Sequence, residues 1–362
     1  MSRFFLSAWG KNEAAGIYTF DLKENGYPEK EAFIPFFHAG YLAWNSTRRF
    51  LYATGGLNEN TDCVGAFAVS DDGKLTLLNK EASCGCSCCH LCVAPDDCFV
   101  YAANYTTGNF TEFSLRSDGS LSPAVRTFQH EGKGPHPERQ RSAHTHFCSF
   151  TPDGKYLLVI DLGIDAVMAY PYVPGKGIEP EKVIRTDVAP GRGPRHLIFD
   201  RSGKIAYLIT ELGNTVMSFA CDDGRFALLH EVSTLPCRID YPTKASAIRL
   251  SADERFLIAT NRGFDTVAVF SLDGAGGMVL ADLTLSGGKS PRDVNFLGNG
   301  RFFAAGNEFS DDVYFFDFNR ETGKLTPNGH KLTLPRPLCF CEYLRKTPPP
   351  VSGTAEIPHG AE

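Results

Sequence analysis

The chain of 362 residues contains no apolar run approaching the ~18 residues that a membrane-spanning helix needs. Its N-terminus offers only Phe4-Phe5-Leu6 before Ser7 and Gly10 interrupt. That absence argues against a membrane span and a secretory leader, and it predicts a cytoplasmic protein. Excess positive charge is missing too. The formal net charge of -6 excludes wholesale binding to nucleic acid or anionic membrane, yet leaves room for a local basic pocket. No Trp-Asp dipeptide occurs, which removes the WD40 type of repeat. Ser142 has no G-x-S-x-G elbow around it, so a serine nucleophile is not indicated.

Cysteine, by contrast, is plentiful: twelve residues, six of them between Cys84 and Cys98. In a small secreted domain this density would mean disulfides, but here the chain is large and no leader is evident. The run Cys84-Gly-Cys-Ser-Cys-Cys-His90 is continuous, unlike the separated C-x2-C pairs of a structural zinc site. It reads as free, mostly buried thiols. With 43% hydrophobic and 22% charged residues, there is enough apolar material for a large core.

Strand–turn–strand units recur along nearly the whole chain, separated by Asp-Gly, Ser-Gly or Asn-Gly turns. The clearest copies run from His146 through Phe150 to Gly154, from Arg195 through Phe199 to Gly203, and from Arg292 through Phe296 to Gly300. Weaker ones start near Gly40, Cys89 and Ser246. Anchors at Trp44, Val93, Phe150, Phe199, Leu250 and Phe296 are spaced by roughly 45–57 residues, the length of a four-stranded propeller blade. At the ends, Arg3–Trp9, Gly16–Asp21 and Ala32–Phe37 read as three strands without a first one, and Arg336–Tyr343 reads as a first strand without successors. Joined, they make a seventh blade. The expected fold is therefore all-β: a seven-bladed propeller over residues 1–345, closed by pairing of its N- and C-terminal strands. Residues 346–362 form a Pro/Gly-rich tail expected to be disordered.

Because the first strand of each blade lines the central channel, equivalent positions in successive copies form a ring. Four residues before each anchor lie Gly40, Cys89, His146, Arg195, Ser246, Arg292 and, in the closing strand, Arg336. Twelve residues after each anchor lie Gly56, Tyr105, Leu162, Glu211, Arg262 and Glu308. First and second strands are antiparallel neighbours, so both rings face one mouth. Gathering arginines there is costly unless an anionic ligand is expected.

At these residues the chain resembles the lactonase-type seven-bladed propellers, a family that includes propeller-type 6-phosphogluconolactonases and carboxymuconate cyclases. The resemblance spans about residues 1–345. It is carried by Ala103-Asn-Tyr105, by Gly132–Pro135 leading to Arg139-Gln140 and His144-Thr-His146, and by Gly193-Pro-Arg-His196. Glu211-Leu-Gly-Asn-Thr215, Asn261-Arg-Gly263 and Ser290-Pro-Arg292 continue it. It implies a catalytic quartet of His146, Arg195, Glu211 and Arg262; around them Arg292, Tyr105, His144, His196, Glu308 and Arg336 are expected to bind substrate. It further implies hydrolysis of a small anionic sugar-phosphate lactone, 6-phosphogluconolactone of the pentose phosphate pathway foremost. Arg195, Arg262 and Arg292 would hold the anionic group, and Glu211 or His146 would activate water. No metal or other cofactor is expected, and the chain should be a monomer or a weak homo-oligomer. A cycloisomerase acting on a carboxymuconate, or a non-catalytic binding propeller, are the alternatives.

Overall fold

The computed structural model describes residues 2–343; the tail expected to be disordered, 346–362, lies outside them. Seven antiparallel sheets are arranged around a channel. Blade 1 consists of Leu42–Trp44, Phe50–Asn58, Thr61–Val69 and Leu75–Ala82, and blade 2 of Cys88–Val93, Phe99–Asn104, Asn109–Leu115 and Leu121–Gln129. Blade 3 has Thr145–Phe150, Tyr156–Asp161 and Ala166–Val173, with Gly177–Ile178 and Ile184–Asp187 both pairing the last of these. Blade 4 is built from Pro194–Phe199, Ile205–Thr210, Thr215–Asp222 and Arg225–Ser233. Blade 5 comprises Lys244–Leu250, Phe256–Arg262, Thr266–Leu272 and Met278–Leu285. Blade 6 comprises Pro291–Leu297, Phe302–Asn307, Asp312–Phe318 and Leu325–Thr333.

Blade 7 is the composite one. Pro337–Tyr343 pairs with Ser2–Ala8 from Arg3↔Tyr343 to Ser7↔Cys339, and Gly16–Leu22 and Pro28–Pro35 follow outward. The third N-terminal strand thus begins at Pro28, earlier than the Ala32 expected from sequence. Its polar stretch Glu29-Lys-Glu31 is an exposed outer edge, where apolar alternation is a poor guide.

Sequence patterns follow from position in the blade. Second strands such as Phe99–Asn104 and Tyr156–Asp161 are buried along their whole length, because each is covered on both faces by neighbouring blades. The outermost strand Leu121–Gln129 alternates half-buried and exposed residues after Leu121. Each of the seven large apolar clusters sits between two adjacent blades. Phe4, Leu6 and Phe340 of blade 7 meet Leu297, Phe302 and Phe315 of blade 6, for example, and Phe5, Ile17 and Cys339 meet Leu51 and Phe67 of blade 1. Stability therefore belongs to the closed ring of interfaces, and a missing strand would weaken two of them. Among the described residues no helix is long and apolar enough to cross a membrane.

Candidate active site

The loops that carry the mouth residues are pinned by aspartates. Asp165, at the turn after the second strand of blade 3, accepts the Gly191 and Gly193 amides at 2.7 Å each, fixing the approach to Arg195. Asp265 does the same for the Ser290 amide (2.7 Å) ahead of Arg292, and Asp311 for the Arg336 amide (2.8 Å). Each of these aspartates has a positive φ, between 50° and 57°, which Asp tolerates better than most residues. Asp161 accepts the His144 and Gly163 amides at 2.8 and 2.9 Å through one oxygen, and faces His130 Nδ1 at 2.8 Å through the other.

Glu211 is the hub. Its Oε2 accepts from Arg262 Nη2 at 2.7 Å and Arg195 Nε at 3.1 Å, and its Oε1 accepts from Arg139 Nη2 at 2.6 Å. Glu211 and Arg195 are each 2% exposed, while the Arg262 and Arg139 side chains keep 12% and 25%, so a buried carboxylate and guanidinium are flanked by two half-buried guanidiniums. Burial opposes the charged carboxylate, but Arg262, Arg195, His146 and Arg139 outweigh it and hold Glu211 well below the usual carboxylate range. His146 Nε2 lies 4.0 Å from Glu211 Oε2, and its Nδ1 is buried without a hydrogen-bond partner. Burial, then the neighbouring Arg195, push the proton affinity of His146 far below the ordinary imidazole value, so it is neutral at pH 7.

A second, shallower cluster stands beside the first. Glu308 accepts from Arg292 Nη1 at 3.1 Å and from Arg336 Nη2, while the Arg336 guanidinium lies over the Trp9 ring at 4.2 Å. Tyr105 joins the Glu211 cluster: its hydroxyl oxygen accepts from Arg139 Nη2 at 2.9 Å, and its ring stacks on His144 at 4.6 Å. His144 Nδ1 in turn donates to the Tyr105 carbonyl at 2.8 Å.

His196 occupies a different place. It faces Arg195 Nη1 at 3.2 Å and packs among Tyr41, His90 and Phe147, with ring centroids 5.0–6.0 Å from its own. This group of rings lines the channel below the arginines, next to the Arg249–Asp293 ion pair (2.6 Å).

A cavity of about 390 Å³ opens at the mouth, bordered by Arg195, Arg292, His196, Tyr41, Trp9 and Cys86. The volume suits a small ligand. Cysteines are part of its wall, which corrects the expectation that the run is mostly buried. All twelve are free thiols, but Cys84 and Cys86 are exposed, and Cys88, Cys89, Cys92 and Cys98 are half-buried. The inner strand Cys88–Val93 begins at the mouth, so the residues ahead of it lie on the rim. Among the described residues, no three His, Cys, Asp or Glu side chains converge into a metal-holding group.

Of the ten expected residues, His146, Arg195, Glu211, Arg262 and Tyr105 are drawn into one cluster, with His144 stacked at its edge. Arg292, Glu308 and Arg336 make the second, and His196 lies deeper. Arg139 is the residue that alignment of the repeats missed. It sits on the loop between blades 2 and 3, outside both periodic slots, and its place is set by Gln140. That side chain, fully buried, donates to the Leu162 carbonyl at 2.8 Å and accepts the His136 amide at 3.0 Å. The only sequence signal for Arg139 was its presence in the family-like stretch Gly132–Gln140.

Residues 3–341 match the family described as lactonase, 7-bladed beta-propeller. The 6-phosphogluconolactonase of Bacillus subtilis is 34% identical, over 92% of this chain and 96% of that one. Among solved structures, the periplasmic gluconolactonase PpgL of Pseudomonas aeruginosa superposes with a TM-score of 0.88 at 27% identity, covering 95% of this chain and 99% of that one. A protein from Lactobacillus plantarum gives a TM-score of 0.87 at 29% identity, over 95% and 100% of the two chains.

Proposed function

The chain belongs to the lactonase family of seven-bladed β-propellers, and from that premise we propose that it hydrolyses a sugar-phosphate lactone, 6-phosphogluconolactone, without a metal. One observation carries the reading: a neutral, buried His146 with an unpartnered Nδ1 lies 4.0 Å from the carboxylate that binds Arg195 and Arg262, and Arg195 in turn borders the cavity together with Arg292. His146 takes a proton from water as the water oxygen attacks the lactone carbonyl. The oxyanion that develops is met by Arg195 and Arg262, fixed guanidiniums in a site with little water. The ring C–O bond then breaks, and the leaving alkoxide recovers the proton from His146. The products are a hydroxyl and a carboxylic acid, and the acid ionises to the carboxylate by releasing its proton to solvent.

Glu211 is a poor base because both of its oxygens already accept from guanidiniums. Its role is to align them and to steady the imidazolium that His146 becomes, 4.0 Å away. Arg292, in the second cluster, faces the cavity and would meet the phosphate end. A cytoplasmic location suits a phosphorylated intermediate of sugar metabolism.

The test is a pH-stat assay with 6-phosphogluconolactone, glucono-1,5-lactone and a carboxymuconate, each with and without EDTA. Expected is turnover of the phosphorylated lactone that EDTA leaves intact and that His146→Ala abolishes. A rate no faster than spontaneous opening for both lactones would overturn the proposal. Loss of activity to EDTA, restored by a divalent ion, would overturn its metal-free part.

A further inference from the structure

The five arginines of the mouth are each matched to a carboxylate: Arg139, Arg195 and Arg262 to Glu211, Arg292 and Arg336 to Glu308. Lys244 is not. It opens the inner strand of blade 5 and stands directly opposite Arg262 in the strand pairing, so the two side chains leave the sheet side by side at the mouth. Its side chain is exposed, and no carboxylate lies within ion-pairing distance of it among the described residues. The backbone beneath it is held, since the Ala245 amide donates to the Glu211 carbonyl at 3.2 Å. Lys244 is thereby kept in the field of Arg139, Arg262 and Arg292. Desolvation, then Arg139, lower its proton affinity, with Glu211 acting the other way and Arg262 and Arg292 adding to the effect of Arg139.

The charge balance is lopsided. Six cations share the mouth with two carboxylates. Of the other acids that border the cavity, Glu59 pairs with Lys11 at 3.3 Å, Asp62 accepts the Cys88 amide at 3.2 Å and Asp293 pairs with Arg249 at 2.6 Å. The Lys244 ammonium, exposed at the rim opposite Arg262, has no counter-charge among the described residues, and a phosphate monoester, with close to two negative charges at pH 7, supplies one.

We propose that Lys244, opposite Arg262 in the strand pairing, forms with Arg292 a phosphate subsite that selects phosphorylated lactones over neutral ones. The inference deepens the lactonase reading and rests on it. The phosphate sits at the rim on Lys244 while the ester end reaches His146 and the Glu211 cluster. Arg139, Arg195 and Arg262 stay largely committed to Glu211, whereas Lys244 brings three donors and Arg292 gives one of its five to Glu308, which leaves both able to meet the incoming anion.

The experiment compares wild type, Lys244→Met and Lys244→Arg in two measurements. One is kcat/KM on 6-phosphogluconolactone and on glucono-1,5-lactone; the other is calorimetric binding of 6-phosphogluconate and gluconate, which needs no turnover. In Lys244→Met the ratio of kcat/KM for the phosphorylated over the neutral lactone should fall about tenfold to a hundredfold, the range for losing one charge-assisted hydrogen bond. The loss should appear chiefly in KM, 6-phosphogluconate should bind correspondingly more weakly, and Lys244→Arg should recover most of both. An unchanged ratio and an unchanged affinity in Lys244→Met, in a protein that turns over the lactones, would overturn the subsite. If wild type opened neither lactone but bound 6-phosphogluconate in a Lys244-dependent way, the subsite would stand and the lactonase reading would fall.

Discussion

Three histidines packed into the channel wall make the fold sensitive to mild acid, and the size of the effect can be worked out. His90, His146 and His196 are 3%, 5% and 4% exposed. In each, burial is the first cause and Arg195 the second that pushes the imidazole well below 6.5, so the folded chain keeps all three neutral. The unfolded chain protonates them normally. Below pH 6.5 it therefore binds more protons than the folded one, and stability is lost as pH falls. Between pH 7.5 and 5.5 each neutral histidine costs about 1.4 kcal/mol, and the three together about 4 kcal/mol. That is a large part of the ~5–15 kcal/mol that holds a typical fold. Glu211 and Glu308 do not add to this window, because their depressed carboxyls release stabilisation only below the usual carboxylate range. Asp293, whose carboxyl burial raises despite Arg249, acts in the opposite sense at the acid end. Urea unfolding at pH 7.5, 6.5 and 5.5 should show the folding free energy dropping by about 4 kcal/mol, and His196→Gln should remove about a third of that slope. Equal stability at pH 7.5 and 5.5, or an unaltered slope in the variant, would refute the assignment of these histidines as neutral.

Two other outcomes follow from the packing. Glu211→Gln leaves three guanidiniums around a neutral amide, so it should lower kcat strongly and also cost about 3–5 kcal/mol of stability. Added phosphate should raise its Tm more than that of wild type. A variant that melts like wild type would show that Glu211 is not the charge hub. Truncation after Leu334 removes the strand Pro337–Tyr343, and with it the contacts of Phe340 on Phe4, the Trp44 Nε1 bond to the Glu342 carbonyl (3.1 Å) and the Phe340 amide bond to Asp293 (2.9 Å). Aggregation or a fall in Tm of at least ten degrees or so is expected, while truncation after Lys346 should be silent. Equal melts for the two would contradict closure through blade 7.

How much of this was legible in the sequence depends on whether the information was periodic. Blade count, closure and the two rings of the mouth repeat at a steady spacing, and Arg195, Glu211, Arg262 and Arg292 could be placed from alignment of the chain with itself. Register within blade 7 was less accessible, since Glu29-Lys-Glu31 carries no apolar alternation to mark the start of its strand. Arg139 and Lys244 escaped because neither occupies a repeated slot: one depends on the buried amide of Gln140, the other on a strand that starts at the rim.

The proton chemistry was hidden for a different reason. Nothing about a glutamate twelve residues past an anchor says how many guanidiniums reach it. With one arginine, Glu211 would keep enough basicity to compete for a water proton. With three, arriving from the loop before blade 3, from blade 4 and from blade 5, it is committed as a counter-ion, and the burden of accepting the proton moves to His146. Burial first, then Arg195, with Arg292 and Arg262 behind it, keep the histidine neutral, and so able to receive a proton at all. The packing of neighbouring blades is what imposes this division of roles, because it brings arginines from the loop before blade 3, from blade 4 and from blade 5 within 3.1 Å of one carboxylate.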